Sequence, residues 1–284
     1  MAGVAVAAGN QTVQTVEAVV LLGWMEMEEA VTYLLESCCF EPALTRTQAE
    51  ELWKEYKSRV GRLPVCNVEP PKRLPIPDAR RHIAQEFLTR TRGPEVLDVI
   101  NIDPMNLVVY QMYVVTDQAD HHAKNHIGTQ QWDKNCLMID RPTAQMALRL
   151  EDGIIKIQLP HAEHMFSLLP NGLFQIQQGG GFISVCDVEG RLLLKAGYHR
   201  TFAFCRSRRN EPDAKDRSLL VALTKSVPPV LAADFPKQGL RTTVLGSRPP
   251  LFSDFFDDVL SIRVKLRKKR FEMHVKVDTV AVDV

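Results

Sequence analysis

The sequence predicts an α+β protein in which a helical N-terminal segment is followed by a mixed, β-rich core with few helices. Three observations support this prediction. Apolar residues recur at helical spacing before residue 62, prolines crowd residues 63–78, and short Val-, Ile-, Leu- and Phe-rich runs follow Gly93. We therefore expect a helical segment at 1–62, a proline-rich linker at 63–78, and an α+β core domain with basic C-terminal strands at 79–284.

The bulk composition sets limits on location and partners. The 284 residues carry a net charge of +1, so no global electrostatic field draws the chain to nucleic acid or to anionic lipid. The longest apolar run is far shorter than the roughly 18 residues that span a bilayer, and no basic segment precedes a signal-type apolar stretch. The six cysteines are scattered without CxxC spacing, which favours reduced thiols. We expect a cytoplasmic protein with no membrane span.

Two helices are predicted at the N-terminus. Apolar residues between Val13 and Glu36 recur at spacings of three and four, which indicates an amphipathic helix that Gly23 kinks or breaks. A second helix is predicted from Thr47 to Gly61, because Thr47 and Glu50 fit the pattern of a capping box. Prolines then force extended geometry, and a short basic helix is expected at Ala79–Arg92.

The core is predicted to consist mainly of short strands. Two helices are expected among them, at Thr143–Arg149 and at Ala162–Leu169. The predicted strands include Val96–Ile102, Leu107–Val115, Ile154–Leu159, Phe174–Gln177, Phe182–Asp187, Arg191–Leu194, and one or two strands within Leu260–Val284. Glu189-Gly190 is a hairpin-type turn signal.

The most informative feature is a strand, turn and helix signature that ends at Gly197-Tyr198-His199-Arg200. A glycine before a helix lets the backbone approach a ligand, and the first amides of the helix lack intrahelical acceptors. Arg200 could bridge two phosphate oxygens. The alternative is structural: Gly197 as a turn residue, His199 as a surface or capping side chain, and Arg200 as an ordinary ion-pair partner.

This segment resembles the ParB/sulfiredoxin-like superfamily, in which a hairpin precedes a Gly-x-[His/Arg]-Arg motif at the start of a helix that holds nucleotide phosphates. Gly197, His199 and Arg200 match the motif, and Ser218–Leu223 would be the next strand of that core. The resemblance covers about residues 176–225. It implies a phosphate site at Gly197, Tyr198, His199 and Arg200, with a nucleotide or nucleic acid as the ligand.

The chain also departs from this superfamily in two respects. Sulfiredoxins carry a catalytic cysteine directly before the His-Arg pair, where this chain has Tyr198, so sulfinic-acid reductase activity is not expected. Chromosome-partition members have an acidic residue there and a helix-turn-helix domain after the core, and neither is evident in this sequence. The resemblance therefore implies phosphate binding and no named reaction.

Histidines suggest a second kind of site. His122 and His126 would share one helix face, and with His161 or His164 they could form a three-nitrogen metal site with a position open for water. The alternative is a set of solvated loop histidines, since nothing in the sequence brings the two segments together. Such a site would make the protein a metal-dependent hydrolase or nuclease, although no GxSxG or HExxH motif announces an enzyme.

A dense basic segment lies near the C-terminus. Its six cations are Arg263, Lys265, Arg267, Lys268, Lys269 and Arg270. On a strand the first three would share one face and could follow a nucleic-acid backbone, whereas the alternative is a charged edge strand that resists aggregation. The run Gln177–Gly181 lacks the Lys and hydroxyl of a P-loop and is interpreted as a bulge or turn beside the phosphate site.

Three functions thus remain open from sequence. The first is a nucleotide- or nucleic-acid-phosphate-binding protein, and the second is the metal-dependent hydrolase or nuclease. The third is a non-catalytic subunit of a larger assembly, docked on a protein partner through the N-terminal helices.

Overall fold

The computed structural model describes most of the chain. The described residues are 14–65, 72–91, 95–126, 137, 147–151, 154–159, 164–168, 174–178, 181–210, 218–232, 239–268 and 271–276. Within these ranges, helices and strands occur without a regular βαβ order, so the predicted α+β class is confirmed.

The elements are as follows. The strands are β1 (Thr15–Val20), β2 (Cys38–Cys39), β3 (Val96–Ile102), β4 (Tyr113–Val115), β5 (Ala147–Glu151), β6 (Ile154–Leu159), β7 (His164–Leu168), β8 (Phe174–Gln178), β9 (Ser184–Val188), β10 (Arg191–Ala196), β11 (Leu219–Thr224), β12 (Ile262–Arg267) and β13 (Phe271–Lys276). The helices are α1 (Met27–Thr32), α2 (Arg46–Gly61), α3 (Asp78–Arg90), α4 (Thr116–His126), α5 (Tyr198–Asn210) and α6 (Gly239–Leu245). Short 3₁₀ turns lie at Leu22–Trp24, Pro104–Asn106, Pro229–Leu231 and Phe252–Phe256, and a π turn at Tyr33–Ser37.

The prediction of one helix from Val13 to Glu36 is wrong for its first half, because Thr15–Val20 is a strand. β1 lies between β12 and β4 and pairs with both. The apolar residues of this segment have helical spacing, but they are largely β-branched valines, which favour a strand when partners are present on both sides. Gly23 does break the segment: a Cβ there would come within 2.6 Å of the Tyr56 carbonyl oxygen, so glycine permits close contact with α2.

Helix α2 is confirmed, but its cap differs from the predicted one. Thr45, and not Thr47, is the N-cap residue, and it forms a capping box with Gln48. Both Thr45-x-x-Gln48 and Thr47-x-x-Glu50 fit the pattern, and the chain uses the first. Helix α3 at Asp78–Arg90 agrees with the predicted basic helix.

Sheet A has the strand order β2-β12-β1-β4, with antiparallel pairing throughout. β1 comes from the segment predicted to be helical and β12 from the basic C-terminal region, so strands more than 240 residues apart in the chain pair in this sheet. The register places Glu17 opposite Lys265 and Thr15 opposite Arg267.

Sheet B has the order β10-β9-β11-β3. β9 and β10 form an antiparallel hairpin, β11 pairs parallel with β9, and β3 pairs antiparallel with β11. A parallel pair needs a crossover connection, and here β10 and α5 provide it. The strand predicted at Ser218–Leu223 is thereby confirmed as β11.

Two helices predicted in the middle of the chain are wrong. Thr143–Arg149 overlaps β5, and Ala162–Leu169 contains β7. β5 pairs with β6 and β7 pairs with β8, so cross-strand pairing again decides the conformation of short apolar stretches. β13 joins the β5–β6 pair to form a three-stranded sheet.

Helix α5 packs between the two four-stranded sheets. Alternate residues of β9, β10 and β11, including Val185, Leu194 and Val221, share the largest hydrophobic cluster with α5 and sheet A. The opposite face of sheet B packs on α3 through Leu220 and on α6 through Leu193. The start of α5 is therefore fixed on a rigid support.

No helix in the described ranges is long and apolar enough to span a bilayer. The described cysteines, Cys38, Cys39, Cys186 and Cys205, form no disulfide with one another. Cys66 and Cys136 lie outside the described residues.

Candidate functional site

The candidate site lies where the β9–β10 hairpin passes into α5. The predicted hairpin turn is confirmed, since Glu189 and Gly190 have φ values of 52° and 80°. At the other end of β10 the ladder shifts register before Ala196. Gly197 follows, and α5 starts at Tyr198.

Gly197 is required at this turn for two reasons. Its φ is +94°, a conformation that residues with a side chain adopt at a cost. A Cβ at this position would also lie 2.7 Å from Ile183 Cγ1 and 3.1 Å from Ile183 Cα. The helix start is thus held against the segment that leads into β9.

The first turn of α5 offers backbone donors. The intrahelical ladder begins with the Thr201 amide, which donates to the Gly197 carbonyl at 2.9 Å. The amides of Tyr198 and His199 precede this ladder and have no intrahelical acceptor. The positive end of the helix dipole of α5, which has 13 residues, lies at the same place.

The side chain of Tyr198 has a structural role, because its hydroxyl bonds only to backbone groups within the described residues. Its hydroxyl accepts from the amides of Tyr110 at 3.1 Å and Gln111 at 3.2 Å, and it donates to the Leu194 carbonyl at 2.8 Å. Burial raises the pKa of this phenol, so it remains protonated. Of the predicted phosphate-binding residues, Tyr198 therefore has only its backbone amide to offer a ligand.

His199 is neutral at physiological pH. Burial, followed by the positive charge of Arg200, lowers the pKa of His199 to about 4. Its Nε2 atom is shielded from solvent and has no hydrogen-bond partner in the described structure. The ring can therefore contribute a hydrogen bond to a ligand but no charge.

Arg200 is turned inward, with 7% of its surface exposed. Its Nη2 donates to the carbonyl of Gly181, which ends the glycine run Gln177–Gly181. The sequence placed that run beside the site, and this contact supports the placement. Gly179 and Gly180 lie outside the described residues.

Thr201 lies in the same helical turn and was not among the predicted residues. Its side chain is fully buried, and its Oγ1 atom has no hydrogen-bond partner among the described residues. A hydroxyl residue in the first turn of the motif helix was the available signal. Two buried polar atoms without partners, His199 Nε2 and Thr201 Oγ1, thus occur in one helical turn, where native proteins leave few such atoms.

The basic strand β12 presents its cations to solvent. Arg263, Lys265 and Arg267 are exposed and alternate with the buried Val264 and Leu266, as predicted for a strand. β12 pairs with β1 along its whole length but with β2 only at Lys265 and Leu266, so the alternative of a charged edge strand still applies to the rest of its other side within the described residues. Lys268 is also exposed, while Lys269 and Arg270 lie outside the described residues.

The histidines are distributed over separate elements. His122 and His126 lie on α4 with helical spacing, His164 is the first residue of β7, and His161 lies outside the described residues. Among the residues that the structure describes, no group of three His, Cys, Asp or Glu side chains could hold a metal ion.

Comparison with known proteins gives no relative. No family model, no curated protein and no solved structure matches this chain.

Proposed function

We propose that this protein binds the phosphate group of a nucleotide or nucleic acid at the first turn of α5. The observation that carries the proposal is the buried Nε2 atom of His199, which has no hydrogen-bond partner in the described structure and lies in the first turn of α5. A buried polar atom without a partner costs about 1–3 kcal/mol, and a ligand that hydrogen-bonds to it recovers that cost.

The surroundings of the His199 ring favour an anion. The amides of Tyr198 and His199 point along the start of α5, where the dipole of the helix stabilises negative charge. The positive φ of Gly197 lets the chain turn directly from β10 into this helix start. Arg200 supplies a permanent positive charge whose position is fixed by the Gly181 carbonyl.

The exposed face of β12 is proposed as a second contact for a nucleic-acid ligand. Arg263, Lys265 and Arg267 make no ion pair in the described part of the chain. Residues two apart on a strand are separated by about 6.6–6.8 Å, which suits successive phosphates of an extended backbone. The proposed contacts are to phosphates and not to base edges. They therefore do not depend on base sequence.

Calorimetric titration with ATP, with inorganic phosphate and with a short oligonucleotide tests the proposal. The informative variant is Arg200→Gln, which removes the charge but keeps an N–H donor for the Gly181 carbonyl. We expect at least about a tenfold loss of affinity, since a hydrogen bond to a charged group contributes about 1.5–3 kcal/mol.

The matched control is Arg206→Gln on the same helix, where the wild-type guanidinium pairs with Asp120. This variant should bind as the wild type does. Absence of binding by the wild type to all three probes would contradict the proposal. Equal affinities of wild type and Arg200→Gln would also contradict it.

A further inference from the structure

A cleft of about 630 Å³ lies at the other half of α5, away from the Gly197 turn. Its walls are the second half of α5, the 3₁₀ turn at Pro104–Asn106, and the turn at Phe252–Phe256 with the loop that follows it. This volume is in the range of ligand sites. A sphere of the same volume is about 11 Å across, which is the reach of about three extended residues.

One wall of the cleft carries two arginines held over aromatic rings. The guanidinium of Arg208 lies 5.6 Å from the ring centre of Phe204, and that of Arg209 lies 5.1 Å from the ring centre of Phe256. Arg209 also donates to the Phe256 carbonyl at 3.4 Å. These contacts orient both cations, and the buried Phe204 and Cys205 supply the apolar part of the lining, which forms the floor of the cleft.

The facing loops carry carboxylates. Asp103 accepts from the Met105 amide at 3.0 Å, and Asp257 accepts from the Val259 amide at 2.8 Å, each through Oδ1. The second oxygen of each carboxylate accepts no hydrogen bond within the described residues. Asp258 is exposed beside them. The cleft thus combines fixed cations, fixed anions and an apolar floor.

We propose that this cleft binds a short peptide segment in which an acidic and a basic side chain flank an apolar residue. The acidic side chain pairs with Arg209, for which a carboxylate is the preferred planar partner. The basic side chain pairs with Asp257 and Asp258, and the apolar residue lies on the floor. A ligand of one charge sign would meet like charges in the cleft, so the lining selects a zwitterionic segment.

End-blocked tripeptides test the charge selection. The probes are Lys-Phe-Glu and Glu-Phe-Lys, with Gln-Phe-Glu, Lys-Phe-Gln and Gln-Phe-Gln as analogues that lack one or both charges. Titrations followed by NMR should show that one zwitterionic peptide binds at least about tenfold more tightly than Gln-Phe-Gln.

Two variants separate the contributions. Arg209→Gln should remove the advantage given by Glu, and Asp258→Asn should remove the advantage given by Lys. Both residues are exposed, so neither substitution disturbs the core. Arg206→Gln lies outside the cleft on the same helix and should change nothing.

Three results would overturn the inference. The first is equal affinity for all five peptides, or no saturable binding at peptide concentrations up to about 10 mM. A dissociation constant of that size corresponds to a binding free energy of less than roughly 3 kcal/mol in magnitude. The second is an effect of only one of the two cleft substitutions, because the cleft would then select a single charge. The third is an equal loss of affinity in Arg206→Gln.

Discussion

Gly197 lies against Ile183 so closely that a Cβ on the glycine would come within 2.7 Å of Ile183 Cγ1. The contact joins the start of α5 to the residues that lead into β9. Because Arg200 bonds to Gly181 in the same leading segment, the first turn of α5 is fixed at two points. The geometry of the candidate phosphate site therefore depends on this packing as much as on the motif residues.

Gly197→Ala should lower the free energy of unfolding by about 2–6 kcal/mol. A side chain at φ +94° costs about 1–3 kcal/mol, and the clash with Ile183 adds an overpacking cost of similar size. Chemical denaturation gives the value. Gly190→Ala is the matched control, because Gly190 has φ +80° but nothing within 4 Å of a Cβ, so it should show the backbone cost alone. Equal losses in the two variants would mean that the Ile183 contact has no energetic weight.

Tyr198→Phe should destabilise the fold by about 1–3 kcal/mol, because it leaves the amides of Tyr110 and Gln111 without their acceptor. Tyr110→Phe removes one bond, to the Lys195 carbonyl, and should cost about 1 kcal/mol or less. Thermal unfolding of both variants checks the order. A phenylalanine at 198 that unfolds like the wild type would show that water replaces the hydroxyl at no cost.

The sequence was sufficient to predict the motif turn and its flanking strands. Short runs rich in Val, Ile and Leu predicted β3, β6 and β10, and Glu189-Gly190 predicted the hairpin turn, because these features depend on local conformation. β1 could not be predicted from its spacing, because its strand conformation depends on β12, which lies more than 240 residues later in the chain.

Burial at the site was equally inaccessible to sequence reasoning. The motif identifies Arg200 and His199, but nothing local indicates that Gly181 accepts from Arg200 or that Thr201 is fully buried. Both facts follow from the packing of α5 between the two sheets. The cleft at the far end of α5 was missed for the same reason, since three separate segments form its walls.

His199 should make the protein less stable as the pH falls. Its pKa is about 4 in the folded protein against 6.5 for an unperturbed histidine, so the unfolded state binds the proton first. The contribution of neutral His199 to the free energy of unfolding is fully present above pH 6.5 and is lost as the pH falls towards 4. It amounts to about 3 kcal/mol in total. Denaturation midpoints of wild type and His199→Gln between pH 7 and 4 test this. Parallel pH profiles of the two proteins would contradict the prediction, since glutamine does not titrate.

The exposed face of β12 should give nucleic-acid binding a measurable salt dependence. If Lys265 contacts one phosphate, Lys265→Gln should reduce the slope of log affinity against log salt by about 0.9 for duplex DNA. Fluorescence anisotropy with a labelled duplex at several salt concentrations gives the slope. Lys54→Gln is the control, because Lys54 is exposed on α2 and outside this face. Glu17 lies opposite Lys265 in the ladder, so Glu17→Gln should instead raise the affinity by removing a repelling carboxylate. An unchanged slope in Lys265→Gln would exclude this face from the interface, even if a phosphate binds at α5.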